Sequence, residues 1–204
     1  MTEPNASVEA ERLLLELQHR VKNIAAVVRS LVRRTAQTSR DLEDFQVRFD
    51  GRLGALVRAH AAMARTAHSG LDLQELISDT LQENAPASKQ WRVAGPDVRL
   101  NARVAETLAL LIHELAVEAV ARGSLLAVPG ELAVTWTVPT DGRALMLEWR
   151  ESGLASRVPP EDFELGRELL DRALPYQFGA RTSLEVEADG LRCNVELPLG
   201  GSGE

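Results

Sequence analysis

The strongest constraint on the fold lies near the start of the chain. From Val8 to Thr35 there is no glycine or proline, and apolar residues fall at Leu14, Leu17, Val21, Ile24, Val28 and Leu31. Spacings of three and four residues keep one apolar seam on one side of a helix, which suits packing against other helices. The stretch "TSRDLEDF" breaks the run and offers Ser39 or Asp41 as the N-cap of a second helix. That helix is expected to run to about Thr66, with Leu42, Phe45, Phe49, Leu53, Leu56 and Met63 on its buried side. Gly51 and Gly54 weaken it slightly. The two arms make an antiparallel hairpin. A lone hairpin buries too little apolar surface, so the expectation is a homodimer through residues 8–66, forming a four-helix bundle.

The pattern changes after "AHSGLD". "LDLQELISDTLQENA" reads as a short amphipathic helix ending before Pro86, and "WRVAGPDVRL" as two strands around a Gly-Pro turn. A strongly apolar helix spans 103–122 and stops at Gly123. "ELAVTWTVPTDGRALMLEWRES" reads as a hairpin with a Thr-Asp-Gly turn, and Trp136 and Trp149 as sheet residues. The Pro-rich loop "GLASRVPPEDFE" leads to the helix "LGRELLDRAL", and a last hairpin turns at Asp189-Gly190. The fold class is α+β, with helices on one face of a mostly antiparallel sheet. The expected organisation is a helical hairpin over 1–70, an α+β half over 71–199 and a flexible tail over 200–204.

Composition narrows the function classes. Residues 1–70 carry eleven Arg and Lys against eight Asp and Glu, whereas the remainder carries twelve against twenty-two. The mildly basic first part suits an acidic protein partner. An isoelectric point near 5.2 argues against nucleic acid. The most apolar stretch, 104–121, is interrupted by Glu106, His113, Glu114 and Glu118, which argues against a membrane span. The N-terminus has no apolar signal segment and Cys193 is the single cysteine, so a cytoplasmic protein without intrachain disulfides is expected.

His19 stands in the first helix about 200° from Leu17 and opposite the seam, at ~100° per residue, on a stripe with Arg12, Ala26 and Arg33. It is expected to face solvent. A free imidazole nitrogen is a competent nucleophile for phosphoryl groups, and nearby cations stabilise phosphate charge. A solvated helix face accounts for the same cations, so spacing leaves both readings open.

The string "ELQHRVKNIAAVVRSL", followed by a helix bearing "RLGALVRAH", resembles the dimerisation and phosphoacceptor hairpin of the HWE-type sensor histidine kinases. The resemblance implies that His19 is the phosphorylated residue, with Arg20 and Asn23 as its matching neighbours. His60 also fits the family's second helix and is read as a half-buried packing residue. Further along, "LLIHELAVEAVARGSL" supplies the family's N-box His113, followed by Glu114, and "EWRESG" supplies Trp149 and Glu151 of its first glycine box. Residues 71–199 therefore look like the family's GHKL-type α/β sandwich, which binds ATP and magnesium.

This copy departs from the family where the nucleotide would sit. The N-box Asn position is Glu118, the Lys position Ala121 and the Tyr position Arg122. Glu118 is a candidate magnesium ligand, but it adds negative charge beside an anionic ligand. Arg122 offsets the lost lysine only if it points inward. Gly153 is kept, but the next expected glycine is Leu154. Where Gly-Phe-Gly is expected the chain reads Glu164-Leu165-Gly166, so only Gly166 survives. Side chains at such positions crowd a nucleotide. Three readings follow. The first is a histidine phosphotransferase exchanging phosphate between His19 and response-regulator receiver domains, with no cofactor. The second is an active kinase using Mg-ATP, and the third a pseudokinase-like scaffold that binds a regulator.

Overall fold

Asp41, Asp72 and Asn101 each stand one residue before a helix and fix where it starts. Asp41 Oδ1 accepts the Asp44 N–H at 2.8 Å, Asp72 Oδ1 the Glu75 N–H at 3.0 Å, and Asn101 Oδ1 the Val104 N–H at 3.0 Å. Each cap satisfies an amide that the first turn leaves unpaired and contributes ~1 kcal/mol. The computed structural model of the 204-residue chain describes residues 3–65, 70–85, 90–126, 129–140, 142–154 and 163–199. In the first helix, side chains are described at Leu15, Gln18, Val21, Lys22 and from Ile24 onward. The expected tail and most of the Pro-rich loop lie outside the described residues.

The chain divides into two compact units, Met1–Leu53 and Gly54–Glu204. The division falls inside the second helix, whereas the sequence pattern changes only near residue 70. In the first unit, α1 (Glu3–Thr38) and the start of α2 (Leu42–Arg65) form the hairpin. The Arg52 guanidinium is buried and donates to the buried Thr35 hydroxyl at 2.9 Å, which joins the two arms. Phe45 and Phe49 stack with ring centroids 5.6 Å apart. The expected seam is covered unevenly. Leu31 is buried and Val28 half-buried, but Val21 and Ile24 are 64% and 44% exposed. Leu14 and Leu17 lie outside the described side chains. Leu42, expected on the buried side of α2, is exposed at its first turn.

The second unit is α+β. Its five-stranded sheet runs in the order β2 (Trp91–Ala94), β4 (Glu131–Thr137), β5 (Ala144–Ser152), β7 (Gly190–Pro198), β6 (Arg181–Glu187). β2 is parallel to β4, and all other pairs are antiparallel. The segment 91–100 therefore does not pair with itself as its sequence suggests. β3 (Arg99–Leu100) instead joins β1 (Leu71–Asp72) in a separate ribbon. Strict alternation buries one face of the sheet, including Val134, Trp136, Leu147, Trp149, Cys193 and Val195. Burial pushes the Cys193 thiol up to about 12 and keeps it unreactive.

α3 (Leu73–Asn84) and α4 (Ala102–Ala121) pack together and bury Leu76, Ile77, Leu108, Leu111, Ile112 and Leu115. The last helical stretch is composite: α5 (Glu164–Glu168), a π-helical segment (Leu169–Ala173) and α6 (Leu174–Phe178). Pro175 has no N–H to offer the carbonyl five residues back. That carbonyl, on Leu170, accepts the Thr182 hydroxyl of β6 at 2.8 Å. No helix among the described residues is long and apolar enough to cross a membrane.

The hairpin turn carries a pH signature. Asp44 accepts from Arg48 Nε at 2.8 Å and from the Arg40 N–H at 3.0 Å, and these bonds hold its carboxyl down at about 2. A lowered carboxylate pKa stabilises the fold above the ordinary carboxylate range and loses that effect as pH falls toward 2. Asp44→Asn is expected to lower thermal stability at pH 7 by ~0.5–1 kcal/mol. In melting curves followed by circular dichroism, the gap should close as the pH approaches 2.

Candidate functional site

His19, Arg20 and Asn23 all lie within the regular backbone of α1, and their side chains fall outside the described ones. The described members of the same outer stripe, Ala26 and Arg33, are exposed, as is Lys22 one turn from His19. His60, read as a half-buried packing residue, is half-buried on α2, and its Nε2 lies 3.2 Å from Glu106 Oε1 on α4.

The second constellation forms around the end of α4. His113, Glu114 and Glu118 are buried on that helix, and Arg122 is its C-cap residue. The Arg122 guanidinium turns back along the helix, with Nη1 3.7 Å from Glu118 Oε2. The half-exposed arginine thus neutralises the carboxylate at the place where magnesium would have to compete for it. Among the described residues no group of three His, Cys, Asp or Glu side chains is arranged to hold a metal ion.

Trp149 and Glu151 sit on the inner face of β5 and are fully buried. Glu151 Oε1 accepts the Trp149 indole N–H at 3.2 Å, and Oε2 accepts the Ser124 N–H at 2.9 Å. Both oxygens are therefore engaged by the protein. The backbone around them is drawn in at glycines. A Cβ on Gly190 would come within 1.8 Å of the Glu151 carbonyl oxygen, and one on Gly130 within 2.2 Å of the Ser124 carbonyl oxygen. Gly153 has φ +82° and faces the Pro129 carbonyl, so its retention is explained by the turn itself. A Cβ on Gly166 would meet the buried Phe163 ring at 2.1 Å. The altered neighbours behave differently. The Leu154 N–H donates to the Asp189 carbonyl at 2.9 Å, Leu165 is buried, and Ala121 and Glu164 are exposed.

Across the described residues this set fits a magnesium triphosphate poorly. Glu118 is held by Arg122, Glu151 has no exposed surface, and the two retained glycines are used in packing. Sequence reading did not single out Ser124, Gly130 or Phe163, and it named Gly190 only as a turn residue. Gly130 and Gly190 carried a signal, since each stands at the start of a strand, but Ser124 acts through its main-chain N–H and carried none.

Glu151→Gln replaces an acceptor oxygen with an NH2 group facing a buried N–H. The expected cost is ~2 kcal/mol, or a melting point lower by about 4–8 °C. Differential scanning calorimetry checks this.

The sequence model described as HWE histidine kinase matches residues 16–97, which include the hairpin from before His19 through the start of the second unit. A blue-light-activated histidine kinase of Rhizobium johnstonii is 30% identical over 190 residues, 93% of this chain and 54% of that protein. One of Brucella ovis is 29% identical over 196 residues, 94% of this chain and 40% of that protein. The chain thus spans about half the length of the relatives it matches, or less. Two solved structures share the fold. The histidine kinase domain of the Erythrobacter litoralis EL346 blue-light-activated histidine kinase superposes with a TM-score of 0.59 at 13% identity, over 87% of this chain and 94% of that one. The EL346 protein itself superposes with a TM-score of 0.64 at 19% identity, over 94% of this chain and 60% of that one. Residues 16–97 thus match the HWE histidine kinase family, and the chain as a whole is similar to blue-light-activated histidine kinases and shares its fold with solved histidine kinase structures.

Proposed function

We propose that the chain is a two-component phosphotransfer protein in which His19 accepts a phosphoryl group and exchanges it with the aspartate of response-regulator receiver domains. ATP binding is lost in this reading. The observation that carries it is the Glu118–Arg122 pair, which sets a carboxylate and its own cation where the family pattern has Asn and Tyr. Transfer is a displacement at phosphorus. An imidazole nitrogen of His19 forms an N–P bond as the acyl P–O bond of the aspartyl phosphate breaks, and aspartate leaves as the carboxylate. Arg20 and Lys22 supply positive charge beside the acceptor. The mildly basic hairpin suits an acidic receiver surface. Exposure of Val21 and Ile24 in the single chain supports a second copy completing a four-helix bundle, with the protein working as a homodimer in the cytoplasm.

The second reading is an ATP-dependent histidine kinase phosphorylating His19. The observation in its favour is that the relatives at 29–30% identity are named histidine kinases. Labelled ATP and a labelled, phosphorylated receiver domain separate the two. The expected result is label moving from receiver to wild-type protein, none to His19→Ala, and no label from Mg-ATP. Strong labelling of wild type by Mg-ATP, abolished in His19→Ala, would overturn the phosphotransferase reading and establish the kinase.

A further inference from the structure

Among the described side chains of the first unit, only Leu31, Thr35 and Arg52 are buried, and two of the three are polar. Val27, Val28, Phe45, Phe49 and Leu53 are half-buried. Apolar contact within the hairpin is therefore loose. Its most sheltered members are the Arg52 guanidinium, at 2% exposure, and the Thr35 hydroxyl to which it donates at 2.9 Å. The same threonine closes α1, because its carbonyl accepts the Ser39 N–H at 3.0 Å and the Ser39 hydroxyl at 2.6 Å.

An apolar seam built on three- and four-residue spacings fits almost as well after a slip of one turn, since each apolar residue falls where another stood. A buried guanidinium does not, because it must keep its acceptors. A slip of α1 by one turn, about 5.4 Å, would set Leu31 or Ser39 before Arg52 in place of Thr35. Rotation of α1 by one residue would set Arg34 or Ala36 there. The Leu31 and Ala36 side chains offer no acceptor, and Arg34 brings a like charge. Ser39 is already engaged in closing the helix.

We infer that the Arg52–Thr35 bond is a positioning lock, which fixes the register and rotation of α1 against the start of α2 and with them the direction in which His19 is presented.

α1 is one continuous helix from Glu3 to Thr38, so what is fixed at Thr35 is carried along it. His19 precedes Thr35 by about 24 Å along the axis at ~1.5 Å per residue, with a bearing about 160° away at ~100° per residue. Any rotation released at the lock turns His19 by the same angle. Displacement at phosphorus requires the attacking nitrogen to be aligned, so a misdirected imidazole slows transfer without being altered itself. This last link rests on the reading of His19 as the phosphoacceptor.

NMR of Leu and Val methyl groups in the whole protein tests the lock, together with label transfer from a phosphorylated receiver domain. Wild type and Thr35→Ser, which keeps a hydroxyl, should each give one set of signals for Val28, Leu31 and Leu53. Thr35→Val removes the hydroxyl at nearly constant shape. It should double or broaden those signals and slow transfer to His19 by about 10–100-fold. Thr35→Val combined with Arg52→Met leaves no guanidinium to satisfy, and it serves as the test if Thr35→Val does not fold. The double variant should melt no lower than wild type while its signals stay doubled and its transfer slow. One set of signals at the wild-type positions in the double variant, or doubled signals with transfer at the wild-type rate, overturns the proposal. If wild type takes no label from the receiver, the phosphotransfer reading fails, and the methyl signals still decide whether the lock exists.

Discussion

A carboxylate taken wholly out of water must be matched donor by donor, or it unfolds what surrounds it. Glu151 is matched by an indole from its own strand and an amide from the segment that follows α4. Satisfying it therefore requires the end of β5, the exit of α4 and the start of β7 to converge on one small volume. Glycine at 130, 153 and 190 permits that convergence, because any Cβ there would collide with a neighbouring main chain. The side chains packed along the inner face of the sheet give the unit its bulk stability, whereas this buried acid dictates how its ends meet.

The same point separates the retained family residues from the altered ones. Trp149, Glu151, Gly153 and Gly166 are each consumed by internal packing or hydrogen bonding. Ala121, Arg122 and Glu164 face outward, and Glu118 is answered by Arg122. The altered positions are mixed, since Leu154 bonds Asp189 through its N–H and Leu165 is buried, whereas Ala121 and Glu164 are exposed.

Periodicity and capping made most of the architecture legible. Asp41 as a cap, the apolar α4 and the two hairpins with their Gly turns all stand where the sequence pattern puts them, whereas the caps at Asp72 and Asn101 were not singled out. Non-local choices were not legible. "WRVAGPDVRL" carries every local sign of a strand pair, yet β2 finds a parallel partner 41 residues on, among β4 residues that no spacing rule could single out. The buried stripe of α2 was legible only in part. Leu56 is buried as expected, but Arg52, Ala55, Ala59 and Ala62 are residue types that an apolar-periodicity search passes over, and Leu42, which it picks, is exposed. In the candidate site, the chemistry of Glu118 and Glu151 could be read from residue type. Their partners could not, since one is an arginine a turn away and the other a main-chain amide.

The bond from Thr182 to the Leu170 carbonyl has a consequence for the far edge of the sheet. β6 is an outer strand, and such a strand offers a free row of main-chain groups to any passing chain. Its second residue is pinned to a helix carbonyl that a proline has left without its π-turn donor. Peeling β6 away would therefore strand a carbonyl inside the composite helix as well as break the ladder to β7. Pro175, which looks like a flaw in a helix, in this way guards the sheet against recruiting a foreign strand.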